Sequence, residues 1–263
     1  MLNGLDLFSG IGGITLALAE WVRPIAYCEN DRYATGVLLS RMSEGQLPVA
    51  PIWDDVRTLD ARSFSRSEID IIYGGFPCQD ISVAENGVGL GGERSGLFFQ
   101  IARLVKEINP RFVFLENVPA IRTRGLNSVA QTFTELGYDC RWTIVSAKEV
   151  GASHLRKRWF MLAHYNGAGL RVQSKQTRRK EAFIYGGEGE AGFGTDTNVE
   201  RLERPGGSES RIAIPVGYGR WYSEPTIRRG DNGVPNRVDR IKGLGNAVVP
   251  LQAQTAFKRL MGL

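Results

Sequence analysis

Cysteine is scarce in this chain. Among 263 residues there are three, Cys28, Cys78 and Cys140, and no CxxC pair. That excludes a disulfide framework and sets aside a structural zinc cluster, so a reducing compartment is expected. Long apolar runs are lacking too, and none approaches the ~20 residues that a membrane-spanning helix needs. No basic region precedes the first apolar run, and Asp6 interrupts it, so no secretory leader is read and a cytoplasmic protein is expected. There are no internal repeats and no long low-complexity tract. What remains is ordinary for a soluble globular protein: 42% hydrophobic and 23% charged residues, with length for one large domain or a domain plus a small lobe.

The net charge of +5 is unevenly placed. Residues 165–242 hold 14 Lys+Arg against 10 Asp+Glu, and the remainder is nearly neutral. Such an excess suits a polyanionic partner, but the interspersed acids equally suit a solvated surface.

Strand-like runs at residues 2–8, 24–28, 48–52, 69–73, 112–115, 138–145 and 158–164 alternate with helical stretches at 14–21, 31–41, 94–106, 126–136 and 251–261. This alternation predicts an α/β fold with a doubly wound, mostly parallel sheet. Chemistry-bearing residues recur just past these strands. Ser9-Gly10-Ile11-Gly12-Gly13 follows the first and opens a helix, which fits either a cofactor loop or a plain tight turn. Glu29 ends the second strand, placed to accept from ribose hydroxyls or to begin the next helix. Asp54 and Asp55 follow the third, as ligand acids or turn formers. The fourth leads into Gly74-Gly75-Phe76-Pro77-Cys78-Gln79-Asp80-Ile81-Ser82, where two glycines and a proline turn the chain and leave a thiol on the ligand edge of an open sheet. A buried core thiol is the competing reading of a lone cysteine. Glu116 follows the fifth strand. Residues 83–95 are glycine-rich, as in mobile loops, and 165–236 are rich in Gly, Arg and Glu with few apolar runs, as in a small irregular second lobe.

Together these residues resemble the cytosine-C5 DNA methyltransferase family, in its compact phage or restriction-modification form. The resemblance covers most of residues 4–164 and then 237–257. Asp6-Leu7-Phe8-Ser9-Gly10-Ile11-Gly12-Gly13 is similar to the family's cofactor loop, and Gly75-Phe76-Pro77-Cys78-Gln79 to its nucleophile turn. Arg94-Ser95-Gly96-Leu97-Phe98, Glu116-Asn117-Val118, Arg156-Lys157-Arg158 and Gly245-Asn246-Ala247-Val248 match further motifs in the same order.

The resemblance implies a Rossmann-like catalytic domain at 1–164, a target-recognition lobe at 165–236 and a return to the catalytic domain at 237–263. It implies methyl transfer from S-adenosylmethionine to C5 of a cytosine extruded from double-stranded DNA, by a monomer in a bacterial or phage-infected cell, with no metal. Cys78 would attack C6, Glu116 would engage N3 and the exocyclic amine, and Arg156 would stand near O2. Arg158 would hold structure or phosphate. Phe8, Gly10, Ile11, Gly13, Glu29, Asp55, Val56, Pro77, Leu97 and Asn246 would line the donor. His154 stands where the family has glutamine, and Ala247 where it often has serine, so no direct role is carried over to either. The resemblance leaves two alternatives, a transfer-RNA cytosine methyltransferase and an inactive DNA-binding relative. It also makes residues 83–95 a closing loop, and the short lobe implies a short or relaxed target sequence.

Overall fold

A computed structural model describes residues 1–64, 68–77, 96–166 and 237–263. Cys78 and residues 83–95, expected as a closing loop, lie outside the described residues, as does the expected lobe at 165–236 except for Tyr165, which ends a strand, and Asn166.

Seven strands form one sheet in the order β3-β2-β1-β4-β5-β7-β6. They are β1 (Leu2–Leu7), β2 (Val22–Cys28), β3 (Ile52–Trp53), β4 (Ile71–Gly75), β5 (Phe112–Asn117), β6 (Tyr138–Ser146) and β7 (Lys157–Tyr165). The pairs from β3 across to β5 are parallel, and β7 alone runs against both its neighbours, β5 and β6. The expectation of a mostly parallel α/β sheet holds.

Side chains alternate between two cores because successive strand residues point to opposite faces. On β5, Val113 and Leu115 pack on one face with Phe98, Ile101, Leu104 and Val105 of α3 (Leu97–Ile108) and Val129 and Phe133 of α5 (Leu126–Glu135). Phe114 points the other way, to Ile14 and Leu18 of α1 (Gly13–Leu18) and to Phe257 and Leu260 of α7 (Pro250–Met261). Helix α2 (Arg32–Ser43) covers Tyr27 with Leu38 and Met42. The single turn α4 (Ile121–Arg124) and α6 (Arg237–Asn246) complete the described α-helices.

Several boundaries differ from expectation for local reasons. The third strand shrinks to two residues because Pro48 and Pro51 carry no N–H for a ladder. Pro24, by contrast, sits inside β2, where the register slips beside Gly4 and Leu5. Such an irregularity is where a sheet tolerates proline. Helix α1 ends at Leu18, and Trp21 turns back to accept from the Leu2 N–H. Residues 237–246 form a helix although Gly243 and Gly245 disfavour one, which shows tertiary packing overriding propensity. A Cβ at Gly243 would lie 3.6 Å from the Tyr33 ring.

Gly74 is fixed by close approach. A Cβ there would lie 1.9 Å from the Leu7 carbonyl oxygen on β1. Gly36 is its opposite, exposed within α2 with nothing within 4 Å of an added Cβ. Gly74→Ala should therefore lose on the order of 3 kcal/mol or fail to fold, because overpacking forces the backbone apart. Gly36→Ala should gain roughly 0.5–1 kcal/mol. Chemical denaturation of both variants checks the pair, and similar effects of either sign would contradict this packing.

Candidate active site

The chain leaves the sheet centre in two directions. β2 and β3 follow β1 to one side, and β5 follows β4 to the other. The crevice past the carboxyl ends of β1 and β4 is thus the topological switch point, where open α/β sheets bind ligands. The glycine loop emerges from β1 and the Gly75-Phe76-Pro77 exit from β4, so these two stretches flank the crevice.

On the β1 side the loop is held in an unusual conformation. Phe8 adopts φ +54°, rare for a bulky residue, with Gly10 at +53° and Gly12 at +83°. Glu29, one residue past β2, bridges the loop to α2. Its Oε2 accepts from the Gly10 N–H at 2.7 Å and its Oε1 from the Asp31 N–H at 2.8 Å. Arg41 of α2 donates to the Ile11 carbonyl at 2.5 Å. Beneath the loop lies a fully buried relay, in which Thr15 donates to Asp6 at 2.5 Å and lies 2.8 Å from the Tyr73 hydroxyl. Burial pushes the Asp6 carboxyl up to about 8, partly offset by the Thr15 bond, so it is largely neutral at pH 7. The relay joins α1 to β1 and β4.

On the β4 side the central group is Glu116. It is the penultimate residue of β5, within the strand and not beyond it, paired in register with Gly75 on β4 and Phe160 on β7. Its Oε2 lies where a Gly75 Cβ would come within 2.6 Å, so Gly75 makes room for the carboxylate. Arg158 Nε lies 2.7 Å from Glu116 Oε1, with the side chains 15% and 12% exposed. β7 runs backwards, so its first residues lie at the carboxyl edge of the parallel strands and Arg158 can reach Glu116. Burial raises the Glu116 carboxyl to about 7, against the opposing pull of Arg158 and Arg156.

Arg156 lies just ahead of β7. Its Nη2 donates to the carbonyls of Gly245 and Ala247, at 2.7 and 2.6 Å. Its Nε is buried and has no partner among the described residues. Asn117 donates to the Phe76 carbonyl at 3.0 Å and so fixes the chain two residues before Cys78.

The structure thus brings the sequence-derived residues into two groups. Phe8, Gly10, Ile11, Gly13 and Glu29 form one, and Glu116, Arg156, Arg158 and the exit through Pro77 form the other. The segment after α6 touches both, since Val248 lies 3.0 Å from a Cβ built on Gly13, and Asn246 stands exposed beside the Arg156 contacts. Asp55 stands apart past β3, with its carboxylate tied to Arg57 at 2.8 Å. Val56 turns its side chain into the core, which leaves only its main chain for a ligand. Leu97 opens α3 and packs partly on the same core. Asn117, Gly75, Thr15 and Arg41 were not singled out from sequence. The first two lie inside quoted motifs, and the others carry no local signal. Burial pushes the thiols of the two described cysteines, Cys28 and Cys140, up to about 12, which disfavours the thiolate form.

A glycine loop on one side of a switch point and a buried carboxylate with two arginines on the other stand at the ligand edge of a Rossmann-like fold. The chain matches the family of C-5 cytosine-specific DNA methylases over residues 2–200 and belongs to it. It is 36% identical over 160 residues to the Type II methyltransferase M.CviJI of Paramecium bursaria Chlorella virus IL3A, covering 60% of this chain and 42% of that one. To M.HhaI of Haemophilus parahaemolyticus, also a Type II methyltransferase, it is 33% identical over 180 residues, covering 66% and 52%. It therefore spans about half the length of these curated relatives. A solved structure of a Spodoptera frugiperda DNMT2 mutant shares the fold, with a TM-score of 0.52 at 19% identity over 69% of this chain and 54% of that one.

Glu116 holds its proton more tightly folded than unfolded. The stability this gives is full below its ordinary value of 4.5 and is lost as pH rises through about 7. Glu116→Gln has no such titration. The stability of the wild type relative to Glu116→Gln should fall by up to about 3 kcal/mol between pH 4.5 and 7.5, on the scale of 1.36 kcal/mol per unit. Thermal denaturation across that range measures it, and a pH-independent difference would show that Glu116 is not desolvated.

Proposed function

We propose that this chain transfers a methyl group from S-adenosylmethionine to C5 of a cytosine in duplex DNA. The observation that carries the reading is Glu116, paired with Arg158 and facing Gly75 on β4, the strand whose exit through Phe76 and Pro77 leads to Cys78. Family membership supports it.

The residues present fit the donor. A Cβ on Gly10 would project into open space, with its nearest atom 4.0 Å away, so a ligand can approach the bare backbone there. Glu29 and Asp55 stand past adjacent strands, where acids suit ribose hydroxyls and an adenine amino group. Phe8, Ile11, Gly13, Val56, Pro77, Leu97 and Asn246 would complete the wall. When bound, S-adenosylmethionine supplies an electrophilic methyl group.

Cytosine C5 is a poor nucleophile until the ring's conjugation is broken. Cys78 does this as a thiolate, its proton released to solvent, by bonding its sulfur to C6, which drives electron density towards N3 and O2 and makes C5 enamine-like. Glu116 holds a proton at N3, and its raised proton affinity leaves the neutral form populated near pH 7. Arg156, whose Nε–H has no partner among the described residues, brings its positive charge to the side where negative charge develops. Arg158 fixes the Glu116 carboxylate so that its other oxygen faces the base. Once C5 is methylated, its proton passes to solvent water, the C6–S bond breaks with its electrons leaving on the Cys78 sulfur, and the N3 proton returns to Glu116, which restores the aromatic ring. A stacked cytosine cannot reach these groups, so the base is extruded at a cost of a few kcal/mol.

A duplex carrying 5-fluorocytosine tests this directly, because fluorine at C5 cannot leave as a proton does. With labelled donor the wild type should trap a covalent, methylated adduct on DNA and not on transfer RNA. Cys78→Ala should trap none, and Glu116→Ala should slow methylation of normal DNA by roughly 10²–10⁴-fold. An adduct formed by Cys78→Ala, or transfer to transfer RNA alone, would overturn the assignment.

A further inference from the structure

The C-terminal segment holds a buried amide that this chemistry leaves unexplained. Gln252, in the first turn of α7, is fully buried. Its Nε2 donates to the Val145 carbonyl at 2.9 Å and to the Arg156 carbonyl at 2.6 Å. Val145 is the register partner of Arg158, and the Arg156 carbonyl also accepts from the Ala147 N–H at 3.1 Å. One nitrogen therefore staples the end of β6 to the residue that leads into β7. The contact is returned from the other side, since Arg156 donates to Gly245 and Ala247 just ahead of α7. The helix itself cannot drift, because Ala253, Ala256 and Phe257 are fully buried against the sheet.

Space filling does not explain this glutamine. Its Oε1 is buried with no partner among the described residues, a desolvation cost that a leucine of similar volume would avoid. Both amide hydrogens go to the two carbonyls that bracket the arginine turn. We propose that Gln252 is a positioning residue for methyl transfer, locking the Arg156-Lys157-Arg158 segment so that Arg158 stays paired with Glu116 and Arg156 stays seated on the Gly245 and Ala247 carbonyls. The inference rests on the functional reading above. It makes the C-terminal helix part of the site, although the family match ends at residue 200.

The test is a double-mutant cycle in single-turnover methylation of duplex DNA, together with the exchange rate of the Arg158 Nε–H measured by NMR without substrate. Gln252→Met should slow transfer by at least ~10-fold, as displaced catalytic groups do, while donor affinity changes less than about threefold. The Arg156→Ala/Gln252→Met double variant should be slowed by clearly less than the product of the two single effects, because part of the Gln252 effect acts through Arg156. The Arg158 Nε–H, protected in the wild type by Glu116, should exchange faster in Gln252→Met. Should that variant not fold, Gln252→Glu, of equal volume with fewer donors, goes through the same measurements. Slowdowns that multiply in the double variant, or unchanged transfer with an unchanged Arg158 signal, would overturn the proposal. A wild type that transfers nothing to DNA, with the Arg158 signal still dependent on Gln252, would refute the functional reading and leave the positioning role standing.

Discussion

The site depends on a carboxylate kept in a place that disfavours its charge. Glu116 is nearly buried at a strand end, where desolvation alone would neutralise it, and Arg158 stands 2.7 Å away to oppose that. Desolvation outweighs the arginines but does not abolish their pull, so the carboxyl is raised only to about 7. A carboxylate paired with arginine at the surface would stay ionised and hold no proton for a ring nitrogen, and one buried without arginine would hold its proton too tightly. The balance needs room, and Gly75 supplies it on the neighbouring strand. It also needs a cation from the opposite side. That is why the reversed direction of β7 matters, since a parallel strand would have delivered its first residues to the far edge of the sheet.

The same edge orders the rest of the chemistry. From β3 through β2, β1 and β4 to β5, the strand ends present Asp55, Glu29, the Phe8–Gly10 turn, the Pro77 exit and Glu116 in spatial sequence. A donor laid along that edge would place its adenosine over the acids and its reactive end by the β4 exit, next to the carboxylate. Strain is concentrated at the centre of the row, where Phe8 takes a left-handed backbone and the Asp6–Thr15–Tyr73 relay holds the loop from beneath. A loop this constrained loses little freedom when a ligand arrives, which favours binding without further contacts.

Much of this was legible in the sequence, but unevenly. Residues whose chemistry is local announced themselves. Glu116 and Arg158 stand in short motifs beside apolar runs, and Glu29 follows its strand at the expected spacing. Gly75 was visible only as part of a turn, because its service to Glu116 is a contact between strands 41 positions apart in register. The reversal of β7 had no signature either, since strand direction is decided by pairing and not by composition. The third strand was overread because Pro48 and Pro51 look like strand residues by their neighbours yet lack the donor that pairing requires. Helix α6 was missed because its glycines outweigh the packing that only the folded chain reveals.

Gln252 carries that lesson furthest. In sequence it is one of two glutamines in an amphipathic helix, and nothing separates it from Gln254. In the fold it is the one whose amide reaches two carbonyls, 107 and 96 positions away in the chain. Arginines on a turn between strands would otherwise sweep a wide arc, because their side chains are long and their backbone is held at only one end. Tying that backbone from a helix on the sheet face restricts the arc, and the helix is itself anchored to the strand that bears Glu116 through the contact of Phe257 with Phe114. Acid, arginines and staple are therefore referred to a single rigid body, and the geometry of the pair follows from packing made well away from the base.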